Sequence, residues 1–145
     1  MEMTDDCPYC ALVAGDDRDG WVYRDAHWAV AHGPAESTAP GGLLIRSVRH
    51  FTDFAEMTPA EQASFGPLIA LLDAAVHATV DAERVHLVST RDRVQHFHAW
   101  LYPRAATNPL RGTTFLAAPQ SGSTEDVARA AAAIRDRLTG ALRPA

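Results

Sequence analysis

Two short motifs carry most of the chemistry this sequence can do. Cys7 and Cys10, its two cysteines, stand as C-x-x-C. In a reducing compartment that spacing points to a bound metal or to redox chemistry before a structural disulfide. A thioredoxin-like motif would follow a strand and open a helix. Here six residues precede Cys7, and Gly15, Asp16, Asp17, Asp19 and Gly20 follow closely, so redox is the weaker reading. A metal needs two further ligands, and the pair alone leaves metal binding and no role both open. The second motif is His96-Phe97-His98, which runs on through Ala99-Trp100-Leu101-Tyr102 to Pro103-Arg104. Strand side chains alternate, so His96, His98, Trp100 and Tyr102 share one face while Phe97, Ala99 and Leu101 share the other. Two imidazoles at alternate positions can serve one site. They also fit two ordinary strand histidines, or a catalytic zinc, although no acidic residue follows His98 before Glu125 to complete its ligands.

The elements that must position these residues are legible in outline. Trp21 to Arg24, His27 to Ala31 and Leu43 to Arg46 are apolar or aromatic segments bounded by Gly, Pro or Asp, the strand signature. Thr58-Pro59-Ala60-Glu61 is a capping box with proline at the first helical position. Phe65, Leu68, Ile69, Leu72, Val76 and Val80 then recur at helical spacing, predicting one long helix to about residue 80. Arg84 to Ser89 and Gln95 to Tyr102 read as two more strands, followed by an irregular stretch from Ala105 to Gly122. A last helix is expected from about Glu125 to Thr139, with Gly140 at its end. Strands, helix, strands, helix predict an α+β fold with an antiparallel sheet.

Composition sets the outer limits. At 145 residues the chain is read as one domain, and 47% hydrophobic residues supply a real core. All thirteen basic residues are arginine, which excludes a Walker-type phosphate loop, a Schiff-base lysine and a lysine general base. The formal charge of -5 argues against sequence-independent binding to nucleic acid. No apolar run is long enough for a bilayer, and the start from Met1 to Asp6 is acidic rather than signal-like, so a soluble, cytoplasmic chain without a membrane partner is expected.

From Cys7 to about Arg104 the sequence resembles the histidine-triad (HIT) superfamily of nucleotidyl hydrolases and transferases. His96 matches the family's first histidine, His98 the second, and Pro103-Arg104 the closing pair. Upstream, the segment from Pro40 to Arg49-His50 looks like the family's run into the capped helix. The resemblance implies a HIT-like antiparallel sheet with one long central helix and a C-terminal helix, in a single domain over 1–145. It implies a structural Zn²⁺ held by Cys7, Cys10, His50 and His96, the four slots of a zinc-binding branch. A Cys₂His₂ set closes a tetrahedral site and leaves no open position for catalysis.

With His96 committed to zinc, His98 is the expected nucleophile on the α-phosphate of a nucleotide or nucleotide conjugate, through a phosphoramidate. Arg93 and Arg104 are the arginines nearest in sequence for a phosphate. Trp28, ahead of Trp21 and Tyr23, is the aromatic favoured for a base pocket. Tyr102 is a further polar contact on the His98 face. His27, His77 and His86 fit solvated or structural roles better than catalytic ones.

The sequence also departs from the family. Trp100 stands where the third histidine belongs, and Gly42 where a histidine often follows Pro-Gly. His32 or Gly33 occupies the place of a ribose-binding aspartate, and Arg93 falls near a serine that assists the leaving group. Two alternatives therefore stand beside the enzyme: a nucleotide-binding module with little turnover, and a hydrolase with catalytic zinc at His96 and His98. Relatives pair as two-fold dimers, and the apolar stripe on the helix after Thr58 fits a homodimer interface.

Overall fold

The computed structural model describes residues 6–15 and 20–141. Asp16, Asp17 and Asp19, and all of the acidic start except Asp6, lie outside them. Five strands form one antiparallel sheet: β1 (Trp21–Arg24), β2 (Trp28–His32), β3 (Leu43–Ser47), β4 (Arg84–Val88) and β5 (His98–Arg104), in the order β1-β2-β3-β5-β4. The helices are α1 (Pro8–Ala14), α2 (Pro59–Thr79), α3 (Gly112–Ala117) and α4 (Thr124–Ala141).

The sheet has two unlike faces, as the alternation in β5 demands. Phe97, Ala99 and Leu101 join Trp28, Val30, Leu43 and Ile45 in the core, under Leu68, Leu72 and Val76 of α2 and Ile134 and Leu138 of α4. Leu44, Arg46, His98, Trp100 and Tyr102 belong to the other face.

Helix α2 begins where its capping box predicts. Thr58 Oγ1 accepts the Glu61 N–H at 3.1 Å, and Glu61 Oε1 accepts the Thr58 N–H at 2.8 Å. Glu61 also pairs with Arg49 at 2.8 Å, which ties the segment carrying His50 to the start of α2. Burial alone would push the Glu61 carboxyl up, but Arg49 and the Thr58 amide hold it below the usual range.

Residues 8–14, for which the sequence patterns named no element, form a helix with Pro8 at its first turn and Cys7 at its N-cap. Three expectations need correction. Strand β5 starts at His98 and runs to Arg104, because the Phe97 amide and carbonyl bond to Phe51 and Ser47 outside the β5 ladder. Pro103 is tolerated because β3 pairs only with residues 98–101, so β5 has β4 alone beside it at that point. The irregular stretch contains the short helix α3, and α4 continues through Gly140.

Candidate metal centre and nucleophile

Four side chains distant in sequence converge beside α1. Cys7 and Cys10 come from its first turn, His50 from the segment after β3, and His96 from the approach to β5. Their ligand atoms all lie within 4.8 Å of one another. His96 Nδ1 is 3.5 Å from Cys7 Sγ, 3.4 Å from Cys10 Sγ and 3.2 Å from His50 Nδ1. Cys10 Sγ is 3.2 Å from His50 Nδ1. Tetrahedral zinc with ordinary Zn–S and Zn–N bonds would space sulfur and nitrogen by about 3.5 Å and the two nitrogens by about 3.3 Å. The donor set therefore fits a zinc ion.

Two of the donors are held by backbone groups. His96 Nε2–H donates to the Ser47 carbonyl at 2.7 Å, which leaves Nδ1 with a lone pair facing the cluster. Burial keeps His96 below the usual histidine pKa, opposed by that carbonyl and reinforced by His50, His98 and Arg46, so the neutral ligand form is favoured. The Cys10 N–H points at Cys7 Sγ at 3.3 Å.

His98 lies outside this donor set. Its Nδ1–H donates to the carbonyl of His96 at 2.8 Å, and a carbonyl can only accept, so in the neutral ring it is Nε2 that carries the lone pair. Ser89 Oγ–H, from the residue after β4, donates to the His98 carbonyl at 2.6 Å and fixes the backbone there. Two neighbours were not singled out from the sequence. Tyr9 of α1 meets the His98 ring edge-on, with centroids 4.9 Å apart and planes at 85°. Arg46 is the cross-strand partner of His98 and is buried, with its guanidinium 5.4 Å from the Tyr9 centroid. A signal for Arg46 was present: it is the one charged residue in the apolar run 43–47. Nothing in the sequence places Tyr9 over His98, since that contact depends on α1.

Next to Arg46, a cavity of about 470 Å³ opens between α1 and the sheet, with Leu12, Trp21, Arg24, Ala31 and Arg135 among its walls.

The other expected contacts are placed apart from His98. Trp28 is fully buried on the opposite face, packed on Phe97 and donating to Ser64, and Trp21 is the tryptophan that lines this cavity. His32 is also on the core side of β2, where it bridges the Gly41 N–H and the Gly33 carbonyl, each at 2.8 Å. Arg104 sits at the far end of β5 and pairs with Glu83 at 3.2 Å. Arg93 lines a hollow with Asp6, Cys7 and His50, on the metal side. Trp100 does share the His98 face and stacks on Tyr102, centroids 5.4 Å apart and planes at 8°.

Solved structures share this architecture. A zinc-bound histidine triad family protein from Mycobacterium smegmatis matches with a TM-score of 0.73 at 17% identity, over 94% of this chain and 95% of that one. A hypothetical histidine triad nucleotide-binding protein from Sulfolobus tokodaii matches with a TM-score of 0.72 at 17% identity, over 92% and 93%. This chain has the histidine-triad fold. A uridylyltransferase carries the same fold over 47% of its own chain, which matches 94% of this one with a TM-score of 0.71 at 20% identity. No family model matches the sequence, and neither does any curated protein. Within the histidine-triad fold, the expected antiparallel sheet with a long central helix and a C-terminal helix is observed. Among the described residues no helix is long and apolar enough to cross a membrane.

Proposed function

We propose that this chain is a nucleotide-processing hydrolase or transferase that works through a covalent nucleotidyl-histidine at His98. The observation that carries the reading is the 2.8 Å bond from His98 Nδ1 to the His96 carbonyl, which fixes the tautomer in which the neutral ring has its lone pair on Nε2. Nε2 attacks the α-phosphorus of a nucleoside-monophosphate ester or anhydride. The N–P bond forms as the bond to the leaving oxygen breaks, and the leaving group departs with that electron pair. Water or another acceptor then attacks phosphorus, the N–P bond breaks, and the monophosphate is released or transferred.

Arg46, one strand away, is the cation best placed to neutralise the phosphate. The cavity beside it has the apolar walls and arginines to take the nucleoside. Cys7, Cys10, His50 and His96 would hold a structural zinc that, when bound, staples α1 to the segments after β3 and before β5 and supplies no reacting group. The fold neighbours support nucleotide handling, one being a nucleotide-binding protein and one a uridylyltransferase by name. A single domain, a homodimer and a cytoplasmic location complete the reading.

One observation favours a binding module instead. Trp100 puts an indole, which can only donate, where a proton-sharing imidazole would stand. Intact-protein mass measurement after mixing with nucleotides and their conjugates decides between them. A gain equal to a nucleoside monophosphate in wild type, absent in His98→Ala, is the expected result. Binding with no adduct from any conjugate would sink the enzyme reading.

A further inference from the structure

We propose that the metal centre and the nucleophile form one mechanical unit, in which Tyr9 is the positioning residue that the metal seats against His98. The inference rests on the zinc reading of the Cys₂His₂ set and not on any nucleotide. Tyr9 lies between Cys7 and Cys10 in the first turn of α1, and at seven residues α1 is too short to be stable alone. Its far end is tied by the buried Val13, whose carbonyl accepts from Arg24 at 2.8 Å. Its near end is tied by the two sulfurs.

On that near end the Tyr9 ring stands edge-on to His98 at 4.9 Å and to His96 at 6.1 Å, with the Arg46 guanidinium 5.4 Å from its centroid. His98 is 7% exposed. Edge-to-face contact fixes the imidazole plane, as does the hydrogen bond from Nδ1. Both holds lead back to the metal donors. Tyr9 is adjacent to Cys10, and the carbonyl that accepts from His98 belongs to His96. Gathering the four donors seats Tyr9 and His98 together; releasing them frees the near end of α1 and uncovers the imidazole.

The test is carbethoxylation of His98 by diethyl pyrocarbonate at fixed pH, followed peptide by peptide by mass spectrometry. The exposed His77 serves as the internal reference, and zinc content is measured in every sample. Zinc-loaded wild type and Tyr9→Phe should react slowly at His98. Chelated wild type and zinc-loaded Tyr9→Ala should react several-fold faster, with His77 unchanged in all four. An unchanged rate in zinc-loaded Tyr9→Ala, or in chelated wild type, overturns the unit. So does a Tyr9→Phe rate as fast as Tyr9→Ala, because the ring would not be the cause. A wild type that neither carries nor takes up zinc overturns the metal reading and this inference with it, while adduct formation by nucleotides is read separately.

Discussion

A Cβ atom on Gly33 would stand 2.8 Å from Cζ3 of Trp100, inside the closest approach of two carbons. The same atom would run into the buried Thr38 side chain, as would a Cβ on Gly42. Gly42 and Trp100, two departures from the histidine-triad pattern, therefore meet in one packed cluster with Thr38 and Gly33, which with His32 is one of the two candidates for a third. The indole takes room that a residue 33 side chain would need.

This coupling is measurable. Gly33→Ala should cost about 1–3 kcal/mol by overpacking. In a Trp100→His background the cost should shrink by at least about 0.5 kcal/mol, the size expected for residues in contact. Thr38 remains in the way, so the relief will be partial. Denaturant unfolding of the two single variants and the double variant gives the cycle. Strict additivity would mean that the indole does not exclude a side chain at 33.

Sequence patterns reached the elements that advertise themselves. The capping box at Thr58 placed α2 to within a residue, and the alternation from Phe97 to Tyr102 sorted the two sheet faces correctly. The C-x-x-C pair could be joined to His50 and His96 only through the resemblance, because nothing local brings positions 40 and more residues apart together. Trp28 and His32 misled for a physical reason. A large aromatic or a histidine in a short strand looks the same whether it faces core or ligand, and register decides which. Helix α1 was hidden by its length and by the glycine and aspartates that follow it.

The metal set predicts a division among histidines. Purified protein should hold about one zinc per chain, with two sulfur and two nitrogen ligands. Cys7→Ala and His50→Ala should lose that zinc and melt at lower temperature, whereas His98→Ala should keep both metal and fold. Elemental analysis with thermal melts checks all three. Release of zinc by His98→Ala would bring back the catalytic-zinc reading.

His32 predicts a pH dependence of stability. Burial lowers its pKa, opposed by the Gly33 carbonyl, so the folded protein holds His32 neutral with Nε2 accepting from Gly41. Gly41 sits at φ 96°, a turn conformation that this bond helps to hold. A lowered folded pKa means that the unfolded chain binds the extra proton. The stabilisation is then complete above the unfolded value of about 6.5 and fades as pH falls toward the folded one. Melting temperature should drop between pH 7 and pH 5 with zinc in excess, and more steeply in wild type than in His32→Gln. Parallel slopes would show that His32 contributes nothing.

Trp100 decides how the proposed reaction depends on its leaving group. It shares the His98 face, and its stack on Tyr102 holds it in place. Indole has one N–H donor and no acceptor, so it cannot relay a proton to a departing oxygen or nitrogen. A positioned acid–base group contributes on the order of a hundred- to ten-thousand-fold in rate. Phosphoanhydrides and aryl esters leave as stable anions and need that help least, while amines leave only with a proton. Wild type should therefore form its His98 adduct readily from anhydrides and aryl esters and slowly from phosphoramidates. Trp100→His should raise the phosphoramidate rate far more than the anhydride rate, provided the smaller ring is accommodated, which its melting temperature reports. Quenched-flow mass measurement of the adduct across a leaving-group series gives both slopes. Equal acceleration across the series would assign Trp100 a purely steric part, and an adduct absent from both proteins would leave this fold as a nucleotide binder.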